Sequence, residues 1–456
     1  MKIKKIVALF LVMLICFPVA GCSKSEKVTV FLDANGEIIG RVTSEYGSVT
    51  PTQEYYSDYL ITAMRETLEI ICRKQGVNED QAMEYLYNAK YTVKTELDSN
   101  LQTKLYESLK SDTYRDISEY AVALTDLKGN LVASYSSEFD NENLINGSLK
   151  IRYPCSAIKP LSVYSPLLES GSINWSSLQK DTYTKEIQGD DGTKRKWPAN
   201  ASGVYTNENV TVADAIKESY NTIAVKWLQE LTVPKSYEFL DKLGLNTDYE
   251  KKISNANGDD DVLGNIALGY LRQGVTTVDM AGYYQMFANG GNYSKPTAVT
   301  SIDREDKNLY KKENEQIQII SNTTAYIMNK MLIGVVEGGT GKEAKIANLA
   351  IGGKTGTSDE NADNWFVGFT PEYSCAVWHS TFKENGNYKN IAPRIFSDIF
   401  KSVFDKESDN KNYPVCESVK QMAYCADSGG KLTSNCRRLG SGYYLVSNPL
   451  DSCNIH

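Results

Sequence analysis

A serine followed three residues later by a lysine can supply a nucleophile and its base, provided a helical turn brings both onto one face. A lysine held away from water and beside another cation gives up its proton, and the neutral amine can then take the proton of a hydroxyl. The chain of 456 residues spells Ser-x-x-Lys five times, beginning at Ser156, Ser177, Ser380, Ser408 and Ser428. Only Ser156-Ala-Ile-Lys159 opens an apolar helical run, continuing through Pro160-Leu-Ser-Val-Tyr-Ser-Pro-Leu-Leu168. The others stand in polar segments or at the end of a strand pattern. A second element, Ser219-Tyr220-Asn221, lies in the helical pattern after Val210 and offers a hydroxyl to relay a proton and an amide to hold substrate. A literal Ser408-Asp409-Asn410 stands in a charged run past the third element, and its order and surroundings exclude it. That third element, Lys354-Thr355-Gly356-Thr357, ends an apolar strand pattern beginning at Ala347. A lysine and hydroxyls there can bind a carboxylate, and Gly356 would let a substrate backbone lie close. Backbone N–H groups of Ser156 and Thr357 could hold an oxyanion.

Composition narrows the chemistry further. The only histidines are His379, inside the strand pattern Cys375–His379, and His456, the last residue. A Ser-His-Asp triad is hard to build from either, so the base is not expected to be histidine. With 49 basic and 57 acidic residues the formal charge is −8, which excludes a broad basic footprint for nucleic acid. Gly338-Gly-Thr-Gly-Lys-Glu343 is not a phosphate loop, because Glu343 stands where a Ser or Thr is needed, and it reads as a turn over the active site. The chemistry needs neither a metal nor an organic cofactor.

The elements that must position these groups read as follows. Strands are expected at 348–355, 364–369 and 374–381, with an earlier hairpin around Lys128-Gly129-Asn130. Helices are expected at 53–87, 97–112, 156–169, 210–231, 276–290 and 322–336. An early hairpin and a late run of strands with helices between them predict an α+β domain, an antiparallel sheet flanked by helices, preceded by a small N-terminal α/β region with a hairpin at Asn35-Gly36. Lys2, Lys4 and Lys5 precede an apolar run from Ile6 to Phe17, too short to span a bilayer, so residues 1–21 read as an export signal. Val19-Ala20-Gly21-Cys22 looks like a bacterial lipobox that would lipidate Cys22 and hold the chain at the outer face of the cytoplasmic membrane. The chain therefore divides into a signal (1–21), a membrane-proximal connector (22–117), a main domain (118–403) and a cysteine-rich tail (404–456), joined by a polar linker at 404–413. In that compartment Cys416, Cys425, Cys436 and Cys453 are expected to form two disulfides of undetermined connectivity rather than a metal site, because tight Cys-x-x-Cys pairs are missing.

Together the three elements form the set described for penicillin-binding proteins and class A β-lactamases. Tyr153-Pro-Cys-Ser-Ala-Ile-Lys-Pro160 resembles the nucleophile segment of class A penicillin-binding proteins. Trp197-Pro-Ala-Asn200 with Val210–Asn221, Ala267–Gly291, and Gly339–Thr357 with Asn364–Pro371 resemble further parts of that family. The resemblance implies a serine β-lactamase/penicillin-binding-protein-like fold. It implies a D,D-transpeptidase acting on stem peptides ending in D-Ala-D-Ala, with Ser156 as nucleophile, Lys159 as base and Ser219 as relay. Asn221 would orient the substrate, Lys354, Thr355 and Thr357 would hold its carboxylate, and β-lactams would acylate the same serine. Cys155 departs from the family, where glycine is expected, and reads as a small packed residue. Residues 22–117 are too few for the family's glycosyltransferase domain and contain no histidine, so a separate glycosyltransferase is an expected partner. A D,D-carboxypeptidase or β-lactamase on the same scaffold, or a non-catalytic β-lactam-binding lipoprotein, are the alternatives.

Overall fold

The computed structural model describes residues 28–42, 48–188, 192–305, 307–313, 315–404, 412–448 and 450–456. The export signal, Cys22, most of the 404–413 linker and Ser408-Asp409-Asn410 lie outside them. Among the described residues, no helix is long and apolar enough to cross a membrane.

Alternation along the strands builds a sheet that is covered on both sides. Gly352–Thr357, Asn364–Phe369, Tyr373–His379, Tyr120–Asp126 and Leu131–Ser136 pair in that order, antiparallel throughout. Side chains alternate faces along a strand. Val122, Leu124, Phe366 and Val377 pack with Leu101, Leu105, Ile395 and Phe396 of the helices Ser99–Leu109 and Ala392–Val403. Ala121, Ala123, Trp365 and Ala376 enter the opposite core with Ala157, Met280 and Ala281. The small residues on that second face let the nucleophile segment and the helix Thr277–Tyr284 lie close to the sheet.

A second, six-stranded sheet runs Lys307–Lys311, Val299–Arg304, Tyr91–Thr95, Thr29–Leu32, Ile38–Val42 and Val49–Pro51, and only Thr29–Leu32 with Tyr91–Thr95 is parallel. Two of its strands come from beyond residue 118, so the connector and the main domain share this sheet. The expected hairpin turn is present, with Gly36 at φ +87°. The long helix expected at 53–87 is two, Ser57–Gln75 and Glu79–Asn88. Left-handed Gly76 ends the first, and an Asn78–Gln81 capping box starts the second. The helix expected at 210–231 is likewise split into Val212–Lys217 and Asn221–Leu231, because Ser219 adopts φ +61°. Beyond residue 413 the tail forms an antiparallel hairpin, Val419–Cys425 with Leu439–Leu445.

Candidate active site

The nucleophile segment begins as a tight turn. Cys155–Ile158 is a 3₁₀ helix, and the Lys159 N–H bonds to the Ser156 carbonyl. Side chains three apart eclipse in this geometry, which sets Lys159 on the same side of the turn as Ser156. The helix then widens through Pro160–Tyr164 before regular turns at Ser165–Glu169. Two buried anchors fix the turn. The Tyr284 hydroxyl donates to the Ala157 carbonyl at 2.5 Å, and the Trp365 indole N–H donates to the Tyr153 carbonyl at 2.8 Å. Cys155 enters at φ +50°, which rationalises the glycine expected there. Its thiol is buried and its pKa is pushed well up by burial, so Cys155 is inert packing.

Lys159 is wholly buried. Its ammonium nitrogen donates to the Asn221 Oδ1 at 2.6 Å and the Ser219 carbonyl at 2.8 Å, with the Ser219 hydroxyl at 3.4 Å. Burial first, and the Lys354 charge second, hold its pKa well below the usual lysine range. The sharp turn at Ser219 carries its carbonyl and hydroxyl toward Lys159. Asn221 is fixed at both ends: its Nδ2 donates to the Ala199 carbonyl at 2.8 Å while its Oδ1 faces Lys159. In this resting arrangement it positions the Lys159 amine.

Behind the turn lies a polar cluster that the sequence reading missed. Asn200 Oδ1 accepts the N–H groups of Asn221 and Thr222 at 3.0 and 3.3 Å, capping the helix Asn221–Leu231. Asp181, itself buried, accepts from the Asn200 amide at 2.8 Å, the Thr222 hydroxyl at 2.6 Å and the Thr206 N–H at 2.7 Å. Burial alone would raise its pKa, but these bonds outweigh it and lower it. Trp197-Pro-Ala-Asn200 was the only signal for this cluster.

Lys354, also wholly buried, donates to the Thr355 carbonyl at 3.1 Å. Burial lowers its pKa to about 7, opposed by Glu218. Thr355 shares a 2.7 Å hydroxyl–hydroxyl bond with Thr340, which places the expected Gly338–Glu343 turn over this strand. Gly356 has a reason different from the one anticipated. A Cβ there would lie 2.7 Å from the Pro154 carbonyl and 3.1 Å from the Ala157 nitrogen, so glycine is required by the nucleophile turn itself. Asn390, also unforeseen, clamps the strand through bonds from its Nδ2 to the Gly356 and Trp365 carbonyls and to the Thr357 hydroxyl, at 3.0, 3.0 and 3.1 Å.

The remaining candidates separate cleanly. His379 is buried, accepts the Ile391 N–H at 3.0 Å, and has a pKa lowered by burial to about 4, so it is a neutral structural group. Ser177 and Ser380 accept backbone N–H groups from Asn174 and Glu119, and Ser428 lies in the tail. The expected pair of disulfides is not formed: Cys416, Cys425, Cys436 and Cys453 are all free. Cys416 Sγ lies beside Asn322 and Ser418, apart from a group made by the other three with His456, so this arrangement does not bring the four thiols together as two pairs.

A half-buried serine one turn from a buried lysine, a Ser-x-Asn turn and a lysine-bearing edge strand around a five-stranded antiparallel sheet define a serine-type acyltransferase. A family model described as the penicillin binding protein transpeptidase domain matches residues 120–401, and the chain belongs to that family. Penicillin-binding protein 4 of Bacillus subtilis (strain 168) is 31% identical over 288 residues, covering 62% of this chain and 43% of the relative. Penicillin-binding protein 1F of the same organism is 29% identical over 396 residues, covering 83% of this chain and 50% of the relative. The chain thus spans half or less of the length of these curated relatives. The D,D-transpeptidase domain of a peptidoglycan glycosyltransferase from Eggerthella lenta matches with a TM-score of 0.62 at 19% identity, over 84% of this chain and 98% of that one. Penicillin-binding protein 1A from Haemophilus influenzae matches with a TM-score of 0.66 at 15% identity, over 89% and 78%. The shared fold is that of the serine β-lactamases and penicillin-binding proteins.

Proposed function

We propose that this chain is a peptidoglycan D,D-transpeptidase that crosslinks stem peptides ending in D-Ala-D-Ala. The observation that carries the reading is the Lys159 amine, buried with a lowered pKa, one tight turn from Ser156 and in contact with Ser219 and Asn221. Neutral Lys159 takes the Ser156 proton as Oγ bonds to the carbonyl carbon of the penultimate D-alanine. The N–H groups of Ser156 and Thr357 hold the oxyanion. As the C–N bond breaks, the proton passes from Lys159 through the Ser219 hydroxyl to the departing amine of D-alanine. An acceptor amine then attacks the ester and loses a proton to Lys159, which returns it to the Ser156 Oγ as the acyl C–O bond breaks. Lys354, Thr355 and Thr357 hold the terminal carboxylate of the donor, which lies along the edge strand Gly352–Thr357 as an added strand. A β-lactam follows the same path and stalls, because its leaving group stays tethered and blocks the acceptor.

The reading places the enzyme outside the cytoplasm, held at the membrane by a lipid on Cys22 and supplied with glycan by a separate glycosyltransferase. Labelling with a fluorescent penicillin tests the nucleophile: label is expected to vanish in Ser156→Ala and persist in Cys155→Ala. An adduct mapped by mass spectrometry to any other residue overturns it. Incubation with nascent glycan then separates the activities. Crosslinked dimers support the transpeptidase, D-alanine release without dimers indicates a carboxypeptidase, and sustained nitrocefin turnover indicates a β-lactamase.

A further inference from the structure

Three thiols and an imidazole converge at the end of the tail. The Sγ atoms of Cys425, Cys436 and Cys453 and a ring nitrogen of His456 all lie within 4.8 Å of one another. The spacing Cys425-x10-Cys436-x16-Cys453-x2-His456 contains one tight pair, Cys453-x-x-His456, and folding supplies the rest. His456 Nδ1 is 3.5 Å from both the Cys425 and the Cys453 sulfur. Zinc–sulfur and zinc–nitrogen bonds of ordinary length at a tetrahedral angle span about 3.6 Å, so these separations match two edges of a coordination tetrahedron.

The surroundings are those of a ligand set. The Cys425 N–H donates to the Gly430 carbonyl and the Cys425 carbonyl accepts the Gly429 N–H, both at 2.8 Å, so a tight turn follows the first sulfur. The Cys453 N–H donates to the Lys431 carbonyl at 2.9 Å, beside that turn. These bonds hold the Cys425 and Cys453 backbones against the same two residues, Gly430 and Lys431. Cys436 accepts the Thr433 N–H at 3.3 Å. On the far side of the imidazole, His456 Nε2 is 3.7 Å from Asp427 Oδ2, and Arg438 holds the other oxygen of that carboxylate at 2.9 Å. A carboxylate behind a histidine is the usual device for orienting a metal-binding ring. An odd number of thiols does not fit a disulfide, since one bond would leave a sulfur over.

We propose that Cys425, Cys436, Cys453 and His456 bind one Zn²⁺ in a closed tetrahedral S₃N site that holds the tail against the wall behind Ser219. Binding displaces three thiol protons to solvent and leaves no open position, so the metal is structural. Its mechanical path is short. Left-handed Gly429, in the turn after Cys425, is pressed against Ser176, where a Cβ would lie 2.4 Å from the carbonyl. Ser176 Oγ donates to the Gly429 carbonyl at 2.6 Å and receives the Tyr444 hydroxyl at 2.8 Å. The neighbouring Ser177 carbonyl accepts the Val212 N–H at 2.9 Å, at the start of the helix that leads into Ser219.

Metal analysis of the full chain purified without chelators tests this. About one zinc per chain is expected, unchanged in Cys416→Ser and lost in Cys453→Ser and Cys436→Ser. Fluorescent-penicillin labelling of the same samples reports whether the main domain is folded. Should those variants fail to fold, cobalt reconstitution of the wild-type chain gives the answer, because a thiolate-to-cobalt charge-transfer band with tetrahedral visible bands is expected. A metal-free chain that labels normally and carries a disulfide between any two of these cysteines overturns the proposal. So does zinc retained in Cys453→Ser.

Discussion

Two buried lysines divide the work at Ser156 through unequal environments. Lys159 is lowered by burial and by the Lys354 charge, whereas Lys354 is lowered by burial to about 7 and pulled back by Glu218. In the proposed mechanism Lys159 serves as the base once deprotonated, and Lys354 serves the carboxylate only while charged. Acylation by a penicillin should therefore rise with pH as Lys159 loses its proton and fall as pH passes through about 7. The second-order acylation rate against pH checks this: Lys354→Arg, always charged, should lose the alkaline limb even if its overall rate is lower. Beside the nucleophile, Cys155→Gly should keep full acylation. It relieves a backbone cost of roughly 1–2 kcal/mol at the left-handed position and forfeits burial of one small side chain, so the melting temperature should move little. The three motifs were legible because each is local and its residue types state its chemistry. The left-handed serine and cysteine beside them were not, because nothing in their identity marks that conformation. Asp181, Asn200 and Asn390 act across long sequence separations, which no local pattern reveals.

At the scale of elements, the site depends on one strand pressed against one turn. Gly356→Ala would set a methyl 2.7 Å from the Pro154 carbonyl and force Ser156 away from the strand proposed to hold substrate. A shift of about 1 Å can cost roughly 10²-fold in rate, so acylation should fall by about that factor while the fold persists, read by penicillin kinetics beside circular dichroism. The apolar strand patterns were legible, and 364–369 is met as Asn364–Phe369. Helix ends were less so, since the breaks at Gly76 and Ser219 interrupt patterns whose apolar period continues across them. The strands Val299–Arg304 and Lys307–Lys311 were missed, because they are mostly polar and bury only Val299 and Ile302. A buried carboxylate holds one of them: Glu66, on the helix Ser57–Gln75, accepts the Ala298 and Val299 N–H groups at 2.6 and 3.2 Å. Burial raises its pKa to about 7, so the folded chain binds more protons than the unfolded one between 4.5 and 7. That contribution is present at acid pH and lost as pH rises through about 7. Glu66→Gln, which keeps an acceptor and removes the charge, should gain melting temperature over wild type as pH is raised across this window.

For the molecule as a whole, the partition at residue 118 does not correspond to separable cores. Asp58 of the connector is completely buried and accepts the hydroxyls of Ser136 and Ser148 from the main domain, the second at 2.7 Å. Tyr59 donates to the Leu131 carbonyl at 2.9 Å, and Gln102 bridges the Tyr55 and Ser134 carbonyls at 2.7 and 2.8 Å. Tyr91–Thr95 supplies the strand that pairs Val299–Arg304. Removing residues before 118 would therefore strip one edge of that strand, leave Ser136 and Ser148 without their carboxylate, and expose apolar surface on the outer strand of the central sheet. Unpaired strand edges and newly exposed apolar faces drive association. A chain beginning at residue 118 should aggregate or unfold well below the melting temperature of one beginning at residue 28, although every catalytic motif is retained. The longer chain should unfold in a single transition, with calorimetric and van't Hoff enthalpies in agreement. Two separated transitions, or a soluble shorter chain that penicillin acylates at the full rate, would show that the connector and the main domain fold independently.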